Sequence, residues 1–194
     1  AIVRTAAEDM RRRVAQETTD LYAPLANRMG VWQIKWELED LSFRYLHPES
    51  YKRIAKLLDE RRIDRENFIA EAMATLRGAL NAAGIKADIM GRPKHIYSIW
   101  KKMRKKNLDF SELYDIRAVR ILVEKLQDCY TVLGLIHSMW QPIPGEFDDY
   151  ISNPKANDYR SLHTAVIGPE DRVVEVQIRT FEMHEHAEFG VAAH

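Results

Sequence analysis

Apolar positions recur at helical spacing through the first 84 residues. Residues 1 to 28 hold good helix formers with no breaker before Pro24. Val31, Ile34, Leu38, Leu41 and Tyr45 then return every three or four residues as far as the break at His47 and Pro48. A third series (Tyr51, Ile54, Leu57, Leu58) and a fourth (Phe68, Ala72, Met73, Leu76, Leu80) predict two more helices, the last closed by Gly84 as a left-handed cap. Beyond Gly84 the period falls to two. Ala87 and Ile89 lead into Gly91, Ile116, Ala118, Val119, Ile121 and Val123 form a β-branched run, and 161–167 and 173–178 follow. Helical stretches at 93–106, 126–140 and 181–193 separate or follow these strands. The predicted class is therefore α+β, a mixed β-sheet flanked by helices and preceded by a helical segment. Residues 141–160, with Pro142, Pro144, Gly145 and Pro154, predict a long irregular loop, and such a loop inside a compact domain is usually functional.

Composition narrows the classes. With 194 residues, 46% hydrophobic and 30% charged, the chain can bury a proper core and is not of the disordered type. Its 29 basic and 29 acidic residues cancel, so any site for a polyanion is local. The single cysteine, Cys129, excludes an internal disulfide and sits in an amphipathic helical pattern as a core residue. No apolar run approaches the ~20 residues of a membrane span, and the N-terminal pattern lacks a signal-peptide hydrophobic region, which makes the cytoplasm the expected compartment and a membrane an unexpected partner. The sequence opens at Ala1 and stops at His194 inside helical patterns, so it reads as a piece of a longer protein.

Residues 91–107, GRPKHIYSIWKKMRKKN, hold seven cations and no acid. At about 100° per residue, Lys94, Ser98, Lys101, Lys102 and Lys105 share one helix face, and Ile96, Ile99, Trp100 and Met103 the other. With Pro93 at the first helical position, the helix N-terminus would add its positive end to Arg92 and Lys94, an arrangement suited to phosphate. A solvated lysine face explains the run equally well. YDIRAVRILV (114–123) brings Asp115 and VVEVQIRT (173–180) brings Glu175 to otherwise apolar strands, and alternation puts Glu175, Gln177 and Arg179 on one face. Two carboxylates with nearby cations suit magnesium-dependent phosphoryl transfer, while salt bridges to Arg117, Arg120 or Arg179 are the structural alternative. The loop EFDDYISNPKANDYRSLHT (146–164) groups Glu146, Asp148 and Asp149, then Lys155, Asn157, Tyr159 and His163. A ring beside amide and basic groups suits a nucleobase, although an Asn-, Pro- and Asp-rich turn accounts for the same residues. His184 and His186 fall about 200° apart on a helix, and HEHAE lacks the second histidine of HExxH, which argues against zinc.

Taken in order, GRPKHIYSIWKKM, YDIRAVRI, NDYRSLHT, VEVQIRT and MHEHAEFGVAAH resemble the synthetase domain of the long RelA/SpoT-type alarmone synthetases, nearest to the synthetase-only RelA-like members. The resemblance implies a nucleotidyltransferase-like fold and a pyrophosphokinase that moves pyrophosphate from ATP to the ribose 3′-hydroxyl of GTP or GDP, giving (p)ppGpp and AMP in the stringent response. It implies a helical connector to a (pseudo)hydrolase domain over 1–48 and the synthetase domain over 49–194. Asp115 would be a Mg2+ ligand, and Glu175 a second ligand or the base for the 3′-hydroxyl. Lys94, Ser98 and Lys102 would hold the phosphates of ATP, with Arg92 and Arg120 stacking on adenine; strict alternation puts Arg120 on the face opposite Asp115. Tyr159 would stack on guanine beside Lys155, Asn157 and His163. The acidic tetrad Glu146, Phe147, Asp148, Asp149 marks an acceptor-phosphate or metal region and favours GTP. No HD metal motif lies in the chain, so hydrolysis of the alarmone is not expected. Ribosome and tRNA would be met through further C-terminal domains. Where the family has glycine between Asn and Tyr, this chain has Asp158, which takes left-handed geometry less readily. The reading from another class is a non-catalytic guanine-nucleotide or RNA-binding regulatory module.

Overall fold

The computed structural model describes residues 7–28, 32–92, 94–113 and 117–190. In chain order the elements are helices α1 (Glu8–Glu17), α2 (Ala23–Arg28), α3 (Trp32–Leu46), α4 (Pro48–Glu60) and α5 (Arg62–Ala82), strand β1 (Ala87–Gly91), and α6 (Ile96–Lys106). Strand β2 (Ala118–Val123), α7 (Leu126–Met139), β3 (Gln141–Pro142), β4 (Asp148–Asp149), β5 (Leu162–Ile167), β6 (Val173–Thr180) and α8 (Phe181–Phe189) complete them. Their contacts divide into two compact units. One takes the described residues of Ala1–Glu60, Lys94–Phe110 and His186–His194, the other those of Arg61–Pro93 and Ser111–Glu185.

The first unit is helical. Pro24 has no N–H to donate, and just before it the chain widens into a π-turn over Thr18–Tyr22 and then resumes as α2, so the proline bends the helical run without ending it. Within this unit α6 sits by its apolar side, with Ile99 buried and Trp100 4.7 Å from the ring of Phe43, while Ser98, Lys101 and Lys105 remain exposed. The amphipathic division read from the sequence is therefore present. The helix begins three residues later than expected, at Ile96, and its first turn is met by Asp40 of α3, whose Oδ1 accepts from the Tyr97 N–H at 2.9 Å. Asp40 thus occupies a donor that phosphate at the helix N-terminus would need.

The second unit is built on a six-stranded sheet of order β1-β2-β6-β5-β3, with β4 also on β5; β2 and β6 run parallel and the other pairs antiparallel. Phe68, Ala72, Leu76 and Leu80 of α5 recur at i, i+4, i+8 and i+12 and are buried. With Cys129, Val132 and Ile136 of α7, the larger of these cover Val119, Ile121, Val123, Leu162, Val166, Val174, Val176 and Ile178 on one sheet face. Burial of each such side chain contributes roughly 1.5–3 kcal/mol. Cys129 is wholly enclosed, and burial pushes its thiol up to about 12, so it is inert as a nucleophile. Gly84 (φ 71°) closes α5 as expected, with Ile85 N–H on the Leu80 carbonyl at 2.9 Å. The segment 141–160 is not wholly irregular: β3 and β4 pair with β5, but two-residue strands carry no readable alternation.

Candidate active site

The face of the sheet turned away from α5 and α7 is polar. The register sets Arg120, Gln177, His163 and Asp148 side by side on β2, β6, β5 and β4. One step along β6, Glu175 lies opposite Ala118 on that same face, and Arg92, just past β1, joins it through its N–H on the Ala118 carbonyl at 3.0 Å. Arg92 Nη1 donates to Glu175 Oε1 at 2.5 Å, a pair with 22% and 16% of the side chains exposed. Arg120, buried at 4% exposure, donates through Nε and Nη2 to Gln177 Oε1 at 3.3 and 3.2 Å. Arginine keeps its charge when buried, so the face stays positive around these bonds.

Tyr159 is also buried, its hydroxyl 2.8 Å from His163 Nε2. Burial, reinforced by the cations of Arg92, Lys155, Arg179 and Arg120, drives the His163 imidazole well below its ordinary range, so it is neutral at physiological pH. Arg179 Nη2 donates to His184 Nδ1 at 2.7 Å, and burial with Arg179 and Arg120 lowers His184 to about 4. Both histidines are therefore hydrogen-bonding groups within a cationic patch. One net anion or a chain of phosphates is what that patch accommodates.

Alternation in β4 separates the acidic pair. Asp148 shares the His163 side, whereas Asp149 pairs with Leu162 and turns toward α7. Burial would raise the Asp149 carboxyl, but bonds from the Ser152 N–H, the Tyr130 hydroxyl, the Ser152 hydroxyl and the Ile151 N–H outweigh it and hold the group below its usual range. Asp149 is thereby committed to shaping the turn after β4. Glu146 is part-buried in the preceding turn, its N–H on the Ile143 carbonyl at 3.2 Å. Lys94, Ser98 and Lys102 belong to the helical unit, on and just before α6. Asp115 lies outside the described residues, as do Pro93 and His194. Among the described residues no three His, Cys, Asp or Glu side chains gather as a metal site, and no helix is long and apolar enough to cross a membrane.

Residues 91–194 match the family described as a region found in RelA / SpoT proteins. Over 192 residues the chain is 62% identical to the GTP pyrophosphokinase of Escherichia coli (strain K12), covering 99% of this chain and 26% of that protein. The chain belongs to the RelA/SpoT family. It spans about a quarter of the length of that relative. A solved structure of a GTP pyrophosphokinase family protein from Streptococcus pneumoniae matches with a TM-score of 0.54 at 27% identity, over 69% of this chain and 72% of that one. The small alarmone synthetase 1 from Bacillus subtilis, bound to its product pppGpp, matches with a TM-score of 0.53 at 25% identity, over 70% and 77%.

Two features of this RelA/SpoT chain sharpen the site. Asp158 does adopt the left-handed backbone, at φ 67°, between the Lys155 carbonyl, which accepts its N–H at 2.8 Å, and Tyr159, whose carbonyl accepts the Lys155 N–H at 3.2 Å. Aspartate is among the few non-glycine residues that tolerate this region, so the turn that presents Asn157 and Tyr159 is made without the glycine. Tyr150 is the residue sequence reasoning missed. Its ring meets His163 edge-on at 5.2 Å and Tyr159 at 6.2 Å, and Lys155 Nζ lies 4.6 Å above it and 5.2 Å above Tyr159. Its place two residues after Asp148 was the available signal.

Proposed function

We propose that this RelA/SpoT chain carries the transfer site of a GTP pyrophosphokinase, moving the β,γ-pyrophosphate of ATP to the 3′-hydroxyl of GTP or GDP with release of AMP. The observation that carries the reading is the row of Arg120, Gln177 and His163 with the Arg92–Glu175 pair beside it, on a face ringed by cations. Glu175 is the proton acceptor. As the 3′-oxygen bonds to the β-phosphorus, its proton passes to the Glu175 carboxylate and the bond from that phosphorus to the α,β-bridging oxygen breaks, leaving AMP. Arg92 guards the carboxylate in the free protein and moves to adenine when ATP binds, together with Arg120; Lys94, Ser98 and Lys102 hold the donor's phosphates. Tyr159 receives guanine, with Lys155, Asn157 and the neutral His163 at its edge, and Asp148 lies toward the acceptor's phosphates. Neutral His163 suits this role because a second proton there would add a cation to a face already crowded with four.

The hard carboxylate oxygens of Asp115 and Glu175 fit Mg2+, which when bound neutralises charge on the transferring phosphates. GTP is the favoured acceptor. The synthetase domain is assigned to 49–194 and the connector to 1–48, the protein acts in the cytoplasm, and ribosome and tRNA are reached through other parts of the full-length protein. The activity for which the relatives are named and the pppGpp in the Bacillus subtilis structure support the reading. The test uses full-length protein with ATP, Mg2+ and 3′-deoxyguanosine triphosphate, which lacks the attacking oxygen. AMP release is expected to stop, although the analogue still binds; undiminished AMP release would refute transfer to the 3′-position. A guanine-nucleotide or RNA-binding module would release no AMP with GTP either.

A further inference from the structure

Within the helical unit, the N-cap position of α6 is His95, extended at φ −96° and ψ 133°, and it makes no side-chain bond to the first turn. Aspartate, asparagine, serine or threonine at that position would ordinarily supply one. The acceptor comes from α3 instead. Asp40 Oδ1 takes the Tyr97 N–H at 2.9 Å, the second amide of the helix, which is the bond that a local N-cap aspartate makes. Asp40 Oδ2 stands 3.8 Å from His95 Nδ1, and the His95 ring is stacked on Trp36, the centroids 4.8 Å apart at 23°. With its proton on Nδ1, toward the carboxylate, His95 leaves a lone pair on Nε2. That nitrogen is buried with no hydrogen-bond partner among the described residues, so the tautomer strands an acceptor and not an N–H. Trp36, Asp40 and Phe43 fall at i, i+4 and i+7 and share one face of α3. Phe43 carries the contact onward, its ring 5.7 Å from Tyr97 and 4.7 Å from Trp100. The neighbouring acid, Glu39, meets Lys35 at 3.4 Å, so Asp40 is the α3 carboxylate that holds the start of α6.

On the reading that Lys94 and Ser98 hold the phosphates of ATP, we propose that Asp40 is a positioning residue for the donor nucleotide, fixing the backbone that bears those two side chains without touching ATP itself. The placement is specific. Asp40 grips His95 and Tyr97, Lys94 comes immediately before the first of them and Ser98 immediately after the second. A carboxylate on α3 therefore sets where the chain enters α6 and in which direction both side chains leave it. Backbone ordered before ATP arrives does not have to be ordered on binding, and the gain appears as donor affinity. Because Asp40 takes one of the first amides of α6, the phosphates are met by side chains and not by that amide.

The experiment compares Asp40→Ala with Asp40→Asn in full-length protein turning over ATP and GTP with Mg2+. Asparagine keeps an oxygen for the Tyr97 N–H and caps as well as aspartate does, whereas alanine keeps none. Asp40→Ala is expected to raise the KM for ATP by roughly fivefold, the worth of one cap, with kcat and the KM for GTP within about twofold of wild type. Hydrogen exchange at the Tyr97 amide should quicken in the same variant. Asp40→Asn should restore both the KM and the exchange rate. A fall in kcat with the KM for both nucleotides disturbed, the result of loosening the helical unit at large, would overturn the proposal. So would equal losses in the alanine and asparagine variants, or tighter ATP binding in Asp40→Ala, the mark of a carboxylate that competes with phosphate. Lys94→Gln tests the underlying reading separately: unchanged ATP affinity there would remove Lys94 from the phosphates. ATP weakened by Lys94→Gln but not by Asp40→Ala would keep that reading and overturn the role of Asp40 alone.

Discussion

Glu175→Gln is expected to lower pyrophosphate transfer by roughly 10²- to 10⁴-fold, the range for loss of a positioned general base. The substitution keeps shape and removes only the proton acceptor and the charge that Arg92 meets. Because the Arg92–Glu175 pair is only partly enclosed, its loss should cost stability on the order of 1 kcal/mol, so the protein stays folded. Turnover at saturating ATP and GTP, measured beside the binding of ATP, separates the roles. A collapse of kcat with ATP affinity kept or improved, since Arg92 is released, fits the base. Normal turnover in Glu175→Gln would remove Glu175 from the chemistry altogether.

Tyr159→Leu should weaken the acceptor by roughly tenfold or more, the worth of one base stacked on an aromatic ring. Tyr159→Phe should stay within a few-fold of wild type, because the ring remains while the hydroxyl, with its 2.8 Å contact to His163, is lost. ATP affinity should be unchanged in both. In the present structure the ring is 6% exposed, packed near Tyr150, Lys155 and Arg179, so guanine must displace part of that packing. If the leucine and phenylalanine variants weakened GTP equally, the ring would be structural and the hydroxyl the working group.

The fold was legible where one residue type repeats at one spacing. Phe68, Ala72, Leu76 and Leu80 announce α5, and Val119, Ile121 and Val123 announce β2, because burial of one face is what the periodicity records. Alternation likewise puts Glu175, Gln177 and Arg179 on one strand face. What alternation could not supply was strand order. Only the pairing of β2 with β6 and of β6 with β5 turns Arg120, Gln177 and His163 into a row, and only the pairing of β4 with β5 parts Asp148 from Asp149. Long-range partners were equally hidden: Asp40 at the start of α6, 57 positions from Tyr97, and Glu175, 83 positions from Arg92, leave no local trace. Tyr150 was overlooked for a related reason, since its meaning depends on His163 and Tyr159 lying beside it.

The polar sheet face is proposed to transfer pyrophosphate as a unit. Phosphorus-31 NMR of full-length protein turning over ATP and GTP with Mg2+ tests it most directly. AMP and a guanosine nucleotide carrying a new 3′-diphosphate are expected in equal amounts. ADP in place of AMP, or AMP and free pyrophosphate with GTP unchanged, would contradict it.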